Sequence, residues 1–152
     1  MNNVLRHRGP DGSSVWHDTN AVFGFQRLAI VDVPHGDQPT CNEDGSIRVV
    51  FNGEVYNHRQ LRSALAAHGH RFRNESDVEV IPHLYEEHGV AFVDTLDGDF
   101  AIAIWDATKK TLILARDRVG VKPLFFHTGN GTVVFASEMK GIFASGYIRP
   151  SM

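Results

Sequence analysis

The 152 residues include 42 % apolar and 22 % charged side chains and carry a formal net charge of −3, a balance that fits one globular domain with a sizeable core and excludes a disordered chain. Lys and Arg are scattered rather than clustered, which argues against a nucleic-acid or membrane-surface partner. No apolar run approaches the roughly 20 residues of a membrane span, and Met-Asn-Asn-Val-Leu-Arg-His-Arg lacks the apolar stretch of a signal peptide. Cys41 is the only cysteine, so no internal disulfide can form and a reducing, cytoplasmic setting is expected.

No linker or repeat divides the chain, so residues 1–152 read as one domain. Ala21–Arg27 and Leu28–Asp32 are rich in β-branched and aromatic residues, and Ile47–Phe51 reads as a buried strand. A helix is expected at about Asn57–His68, capped by Asn57 and stopped by Gly69, with Leu61, Ala64, Leu65 and His68 on one face. A second is expected at about Asp77–His88, with Ser76 as N-cap and Glu79 in the capping-box position. Pro82 inside it predicts a kink or a late start. Strands return at Phe100–Trp105, Thr111–Arg116, Leu124–His127 and Thr132–Ala136, with turns at Asp106–Lys110 and Gly129–Gly131. Strands, two helices, then hairpins are the order of an α+β architecture with antiparallel sheets.

Four segments hold polar groups that the pattern puts at strand ends or helix starts, where a rigid scaffold meets a ligand. They are His7-Arg8-Gly9-Pro10-Asp11-Gly12, Gln26–Asp32, Phe51-Asn52-Gly53-Glu54-Val55-Tyr56-Asn57 and Ser76–Ile81. Asn52 and Gly53 supply a side-chain and a backbone donor, the makings of an oxyanion hole. Arg27 suits bidentate capture of a carboxylate, and Glu54 with Asp77 could hold an ammonium. Singly, each has a plain structural alternative: a hairpin turn, an exposed strand-end arginine, a solvated turn acid, an acid favoured by the helix dipole. Together they fit an amino acid with a side-chain amide, with glutamine the obvious candidate.

In this order the four segments resemble the class II glutamine amidotransferase domain of the N-terminal-nucleophile superfamily. They are especially similar to the domain of bacterial glutamine-hydrolysing asparagine synthetases. Leu96-Asp97-Gly98-Asp99-Phe100-Ala101, Ala115-Arg116-Asp117-Arg118-Val119-Gly120-Val121-Lys122-Pro123-Leu124 and Phe135-Ala136-Ser137-Glu138-Met139-Lys140 extend the likeness over the whole chain. His-Arg-Gly-Pro-Asp favours the asparagine-synthetase branch over glucosamine-phosphate synthase and phosphoribosyl-pyrophosphate amidotransferase.

The resemblance implies a four-layer αββα sandwich lacking its first strand. It implies Arg27 for the substrate carboxylate, Asn52 and Gly53 for the oxyanion, Glu54 and Asp77 for the amine, and a mainly structural turn at residues 116–124. The implied reaction is hydrolysis of L-glutamine to glutamate and ammonia for an ATP-dependent synthetase domain, which is absent here. No cofactor is expected in this domain; ATP and Mg belong to the synthetase domain. No metal is expected either, and His68-x-His70 reads as capping or surface.

The family's nucleophile is an N-terminal cysteine whose α-amine is the base. Met1 offers only a thioether, and Cys41, expected in a polar loop, has no α-amine beside it. The chain alone is therefore expected to be inactive, and the missing strand predicts self-association through an open sheet edge. The rival reading is a non-catalytic module that binds an amino acid or a protein. A parent that makes a product other than asparagine is a third.

Overall fold

The computed structural model describes residues 1–28 and 37–148. A 3-10 helix, Asn2–Arg8, leads into an antiparallel hairpin of β1 (Gly12–His17) and β2 (Val22–Arg27). Of the strand expected over Leu28–Asp32, Leu28 stands outside any strand and the rest lies outside the described residues. A four-stranded antiparallel sheet follows in the order β3 (Thr40–Cys41), β4 (Ile47–Val55), β5 (Gly98–Asp106) and β6 (Thr111–Arg116). A last hairpin, β7 (Phe125–Gly129) and β8 (Thr132–Ala136), turns at Asn130 and Gly131, whose φ of 51° and 72° suit a tight two-residue turn.

Two departures from the sequence reading bear on function. β4 does not end at Phe51 but runs to Val55, paired residue for residue with β5 down to Val55 opposite Gly98. Asn52, Gly53 and Glu54 thus lie inside a strand, because nine cross-strand pairs outweigh their poor strand propensity. Cys41 is not in a loop but in β3, 4 % exposed.

Helix α1 (His58–Ala67) forms as expected, and Gly69 follows it with φ 101°. Asn57 does not cap it by its side chain. Instead its Oδ1 accepts from Asp97 N–H at 3.1 Å and its Nδ2 donates to the Thr95 carbonyl at 3.0 Å, tying down the approach to β5. The second helical segment starts late: a 3-10 turn at Asp77–Glu79 precedes α2 (Val80–His88). Pro82 falls in the first turn of α2, where its missing N–H has no intrahelical partner to lose. Ser76 and Glu79 form no capping box. Ser76 Oγ donates to Asn74 Oδ1, while Glu79 accepts from Thr40 Oγ1 and Arg73 N–H.

The four-stranded sheet is buried on both faces. Ile47, Val49, Phe51 and Val55 of β4 pack with Phe100, Ile102 and Ile104 against Leu65, Val80, Ile81 and Leu84 of the helices. On the other face Val50, Ala103 and Trp105 meet Phe23 of β2, with Trp16, Phe25 and Phe135 around them. Phe23 and Phe135 meet edge to face at 5.6 Å, joining the two hairpins in one layer. Beyond them, α3 (Met139–Phe143) contributes Ile142, which packs with Val134, Ala136 and Leu5 of the N-terminal 3-10 helix. Helices, sheet, second β layer and outer helices give the αββα sandwich its four layers. Among the described residues no helix is long and apolar enough to cross a membrane.

Candidate active site on the free edge of β4

The hydrogen bonding of β4 fixes where Gly53 points. Opposite it, Phe100 turns both backbone groups toward Asp117: its carbonyl accepts from Asp117 N–H at 2.8 Å and its N–H donates to Asp117 Oδ2 at 3.3 Å. Gly53 and Phe100 are therefore a non-hydrogen-bonded antiparallel pair, and the Gly53 N–H points away from β5. Its alternate neighbours agree. Phe51 N–H donates to Gln38 Oε1 at 2.7 Å and Val55 N–H to Asp77 Oδ2 at 2.9 Å. β3 covers β4 only opposite Arg48 and Val49. The Gly53 N–H thus stands on an edge no strand covers among the described residues, with Gln38 on one side and Asp77 on the other.

Asn52 adds a second donor. Its Nδ2 is buried and has no hydrogen-bond partner among the described residues. A buried amide left so costs about 1–3 kcal/mol, a cost that a ligand oxygen would remove. Glycine at 53 is required by packing: a Cβ there would stand 2.1 Å from the Asp99 carbonyl oxygen and 2.8 Å from Phe100 Cα. Strand alternation puts Glu54 on the same face as Asn52 and Val50, toward the second β layer. Glu54 is exposed.

Asp77 is buried at the β4 edge through its bond to Val55 N–H. Burial pushes its carboxyl above the usual range, while the Val55 N–H and the nearby His58 ring pull the other way. His58, in the first turn of α1, holds a buried Nδ1 with no hydrogen-bond partner among the described residues. The sequence reading missed it, although it follows Glu54 by only four residues.

Arg27 ends β2 on the face that carries Phe23 and Phe25, toward the interior between the β layers. Its side chain is 14 % exposed and its Nη1 contacts Asp37 Oδ1 at 3.0 Å. Asp37 is 81 % exposed and precedes Gln38, the partner of Phe51. The Asp37-Gln38 dipeptide thus links Arg27 to β4 next to Asn52. The Asp37 carboxylate stands where a ligand carboxylate would meet Arg27, a role the sequence reading did not assign. The structure puts Asn52, Gly53 and Glu54 on one stretch of β4, joins Asp77 to it from the 3-10 turn through Val55 N–H, and links Arg27 to it through Asp37. It shows no direct contact of Arg27 with the other four.

His7–Asp11 serves as scaffolding for Arg27. A Cβ on Gly9 would lie 2.4 Å from the Gln26 carbonyl, so only glycine lets the segment cross there. Asp11 N–H then donates to the Arg27 carbonyl at 3.0 Å. His7 Nε2 and Arg8 Nη1 contact Glu138 Oε1 at 2.9 and 3.3 Å, and Lys140 reaches Glu138 Oε2 at 3.0 Å. Lys140 foremost, then His7 and Arg8, hold the Glu138 carboxyl at about 2. The 116–124 turn is knit by Asp117, which accepts from the N–H groups of Gly120, Val121 and Lys122. A cleft of about 270 Å³ between the N-terminal 3-10 helix and the first hairpin, lined by Arg6 and Gln26 among others, includes none of the five site residues.

The sequence model of the glutamine amidotransferase domain family matches residues 1–152. The chain belongs to that family. Asparagine synthetase [glutamine-hydrolyzing] 2 of Bacillus subtilis (strain 168) is 48 % identical to it over 144 residues, 95 % of this chain and 19 % of that protein. Asparagine synthetase [glutamine-hydrolyzing] 3 of Arabidopsis thaliana is 52 % identical over 139 residues, 91 % of this chain and 24 % of that protein. This chain therefore spans about a fifth to a quarter of the length of these relatives. Among solved structures, glutamine phosphoribosylpyrophosphate amidotransferase from B. subtilis, complexed with ADP and GMP, superposes with a TM-score of 0.70 at 26 % identity. The overlap is 95 % of this chain and 39 % of that one.

Proposed function

We propose that the β4 edge of this amidotransferase domain binds L-glutamine and, given a thiol nucleophile, hydrolyses its side-chain amide to glutamate and ammonia. One observation carries the reading: Asn52 Nδ2 is buried with no hydrogen-bond partner among the described residues, and the next residue, Gly53, aims its N–H at an edge that no described strand covers. Two fixed donors on adjacent residues suit an oxygen that gains negative charge, and losing one such donor costs about 2.7–4 kcal/mol of barrier. Arg27 takes the α-carboxylate after displacing Asp37, and Glu54 with Asp77 takes the α-ammonium. Thiolate attack on the amide carbonyl forms the oxyanion, ammonia leaves with a proton, and water cleaves the thioester to release glutamate and the thiol.

Cys41 does not supply that thiol. It is buried in β3 with Arg73 Nη1 2.7 Å from its sulfur. The nucleophile has to come from outside these 152 residues, so the chain alone binds glutamine without turning it over. No cofactor enters these steps. In a longer protein the ammonia would pass to an ATP-dependent synthetase domain, a reading supported by the names of the relatives and the small share of each that this domain matches. Calorimetric titration with glutamine tests the binding step. The expected dissociation constant is in the millimolar range, about −4 kcal/mol, with no measurable affinity in Arg27→Ala and no ammonia released by either protein. Equal affinity in wild type and Arg27→Ala refutes the assignment.

A further inference from the structure

Away from the β4 edge, three elements converge on one spot. Glu43 comes from the turn between β3 and β4, His70 from the segment after α1, and His83 and Glu86 from α2. One ligand atom from each lies within 4.8 Å of all the others. His83 Nδ1 is 3.2 Å from Glu86 Oε2 and 3.4 Å from Glu43 Oε2. His70 Nδ1 is 3.7 Å from Glu43 Oε1 and from Glu86 Oε2. A tetrahedral ion with bonds of about 2.0–2.2 Å to nitrogen and oxygen sets neighbouring ligand atoms about 3.3–3.6 Å apart.

We propose that Glu43, His70, His83 and Glu86 form a four-coordinate Zn²⁺ site that clamps the β3–β4 turn to α2 and to the segment after α1. The outer contacts are those of a metal site. His70 turns Nδ1 inward while its Nε2 meets Glu87 Oε1 at 3.0 Å, the carboxylate–imidazole pairing that orients a ligating ring. Asn42 Nδ2 donates to Glu86 Oε1 at 2.9 Å, which leaves Oε2 facing the two rings. Arg71 N–H donates to Glu43 Oε1 at 2.8 Å.

The two rings lie with centroids 4.7 Å apart, and His83 is 1 % exposed. A single divalent ion between two neutral imidazoles and two carboxylates is neutral overall. Four protein ligands leave no open position, so the role is structural. This departs from the expectation of no metal, because that reading weighed His70 with His68. His68 instead faces Glu87 Oε2, at 3.5 Å, outside the cluster.

The test uses the 152-residue chain stripped with chelator and titrated with Zn²⁺ and with Co²⁺. The expected result is one ion per chain, the intense visible bands of four-coordinate Co²⁺, and a melting temperature that rises with Zn²⁺. Removing a first ligand that is partly exposed, in Glu43→Gln or His70→Gln, spares the buried His83 and should weaken binding more than about 100-fold. Glu87→Gln, which touches no ion, should weaken it about 10–100-fold. Absence of stoichiometric uptake by folded wild type, a six-coordinate Co²⁺ spectrum, or wild-type affinity in either Glu43→Gln or His70→Gln overturns the proposal.

Discussion

Replacing Gly53 with alanine tests the geometry of the β4 edge. The added Cβ would lie 2.1 Å from the Asp99 carbonyl oxygen and 2.8 Å from Phe100 Cα, both backbone atoms of the partner strand. Neither can rotate away, so β4 and β5 have to part by about 1 Å within the longest ladder in the sheet, two pairs from its Val55–Gly98 end. Overpacking of this kind costs about 1–3 kcal/mol and sometimes more. The upper end is expected because backbone, not side chain, is struck. For a domain of this size about 3 kcal/mol lowers the melting temperature by about 6–12 °C. Urea and thermal unfolding followed by tryptophan fluorescence would read it, since Trp105 lies on β5 itself. Gly69→Ala is the control: φ there is 101° but nothing lies within 4 Å of the new Cβ, so the cost is conformational, about 1–2 kcal/mol. Gly53→Ala should also lose glutamine binding, which Gly69→Ala keeps. A Gly53→Ala protein no less stable than Gly69→Ala, with binding intact, would refute the reasoning.

Asp37→Ala removes one ion-pair partner that competes with a ligand for Arg27. An ion pair this exposed is worth about 0–1 kcal/mol, so the glutamine dissociation constant should fall by up to about fivefold in calorimetry; weaker binding would give Asp37 another role. Asp117 and Glu138 are both held at about 2. For Asp117 burial opposes the shift and the N–H groups of Val121, Lys122, Gly120 and Phe100 outweigh it. Depressed carboxyls contribute stability above their unfolded values, near 4, and lose it as pH falls from there toward 2. Asp117→Asn should accordingly flatten the acid limb of a stability–pH curve, and an unchanged limb would contradict the turn's role. Cys41 should react with a thiol reagent only on unfolding, and rapid labelling of native protein would contradict its burial.

The two helices and most strands were legible because their signals are local: apolar spacing in α1, Gly69 after it, Pro82 delaying α2, Asn130-Gly131 between β7 and β8. The errors are tertiary. Asn52-Gly53-Glu54 reads as following a strand that ends at Phe51, yet β5 pairs it into that strand, which turns the Gly53 N–H to the edge. Asn57, Ser76 and Glu79 fit capping patterns, but distant partners claim their side chains: residues 95–97 for Asn57, Asn74 for Ser76, Thr40 and Arg73 for Glu79. Asp37 and Gln38 carry no motif, and their importance follows only from what Arg27 and Phe51 reach. The Glu43, His70, His83 and Glu86 cluster joins segments whose spacing suggests no ligand set.

The central claim is that glutamine meets the edge of β4 through Asn52 and Gly53. A ¹⁵N NMR titration reads both donors separately, as one backbone and one side-chain amide. On adding glutamine, the largest shifts should fall on the Gly53 N–H and the Asn52 side-chain NH₂. Phe51 and Val55 should move less, because Gln38 and Asp77 already hold their N–H groups. All four responses should vanish in Arg27→Ala. Shifts that gather instead at the cleft beside Arg6 and Gln26, or that persist unchanged without Arg27, would contradict the account.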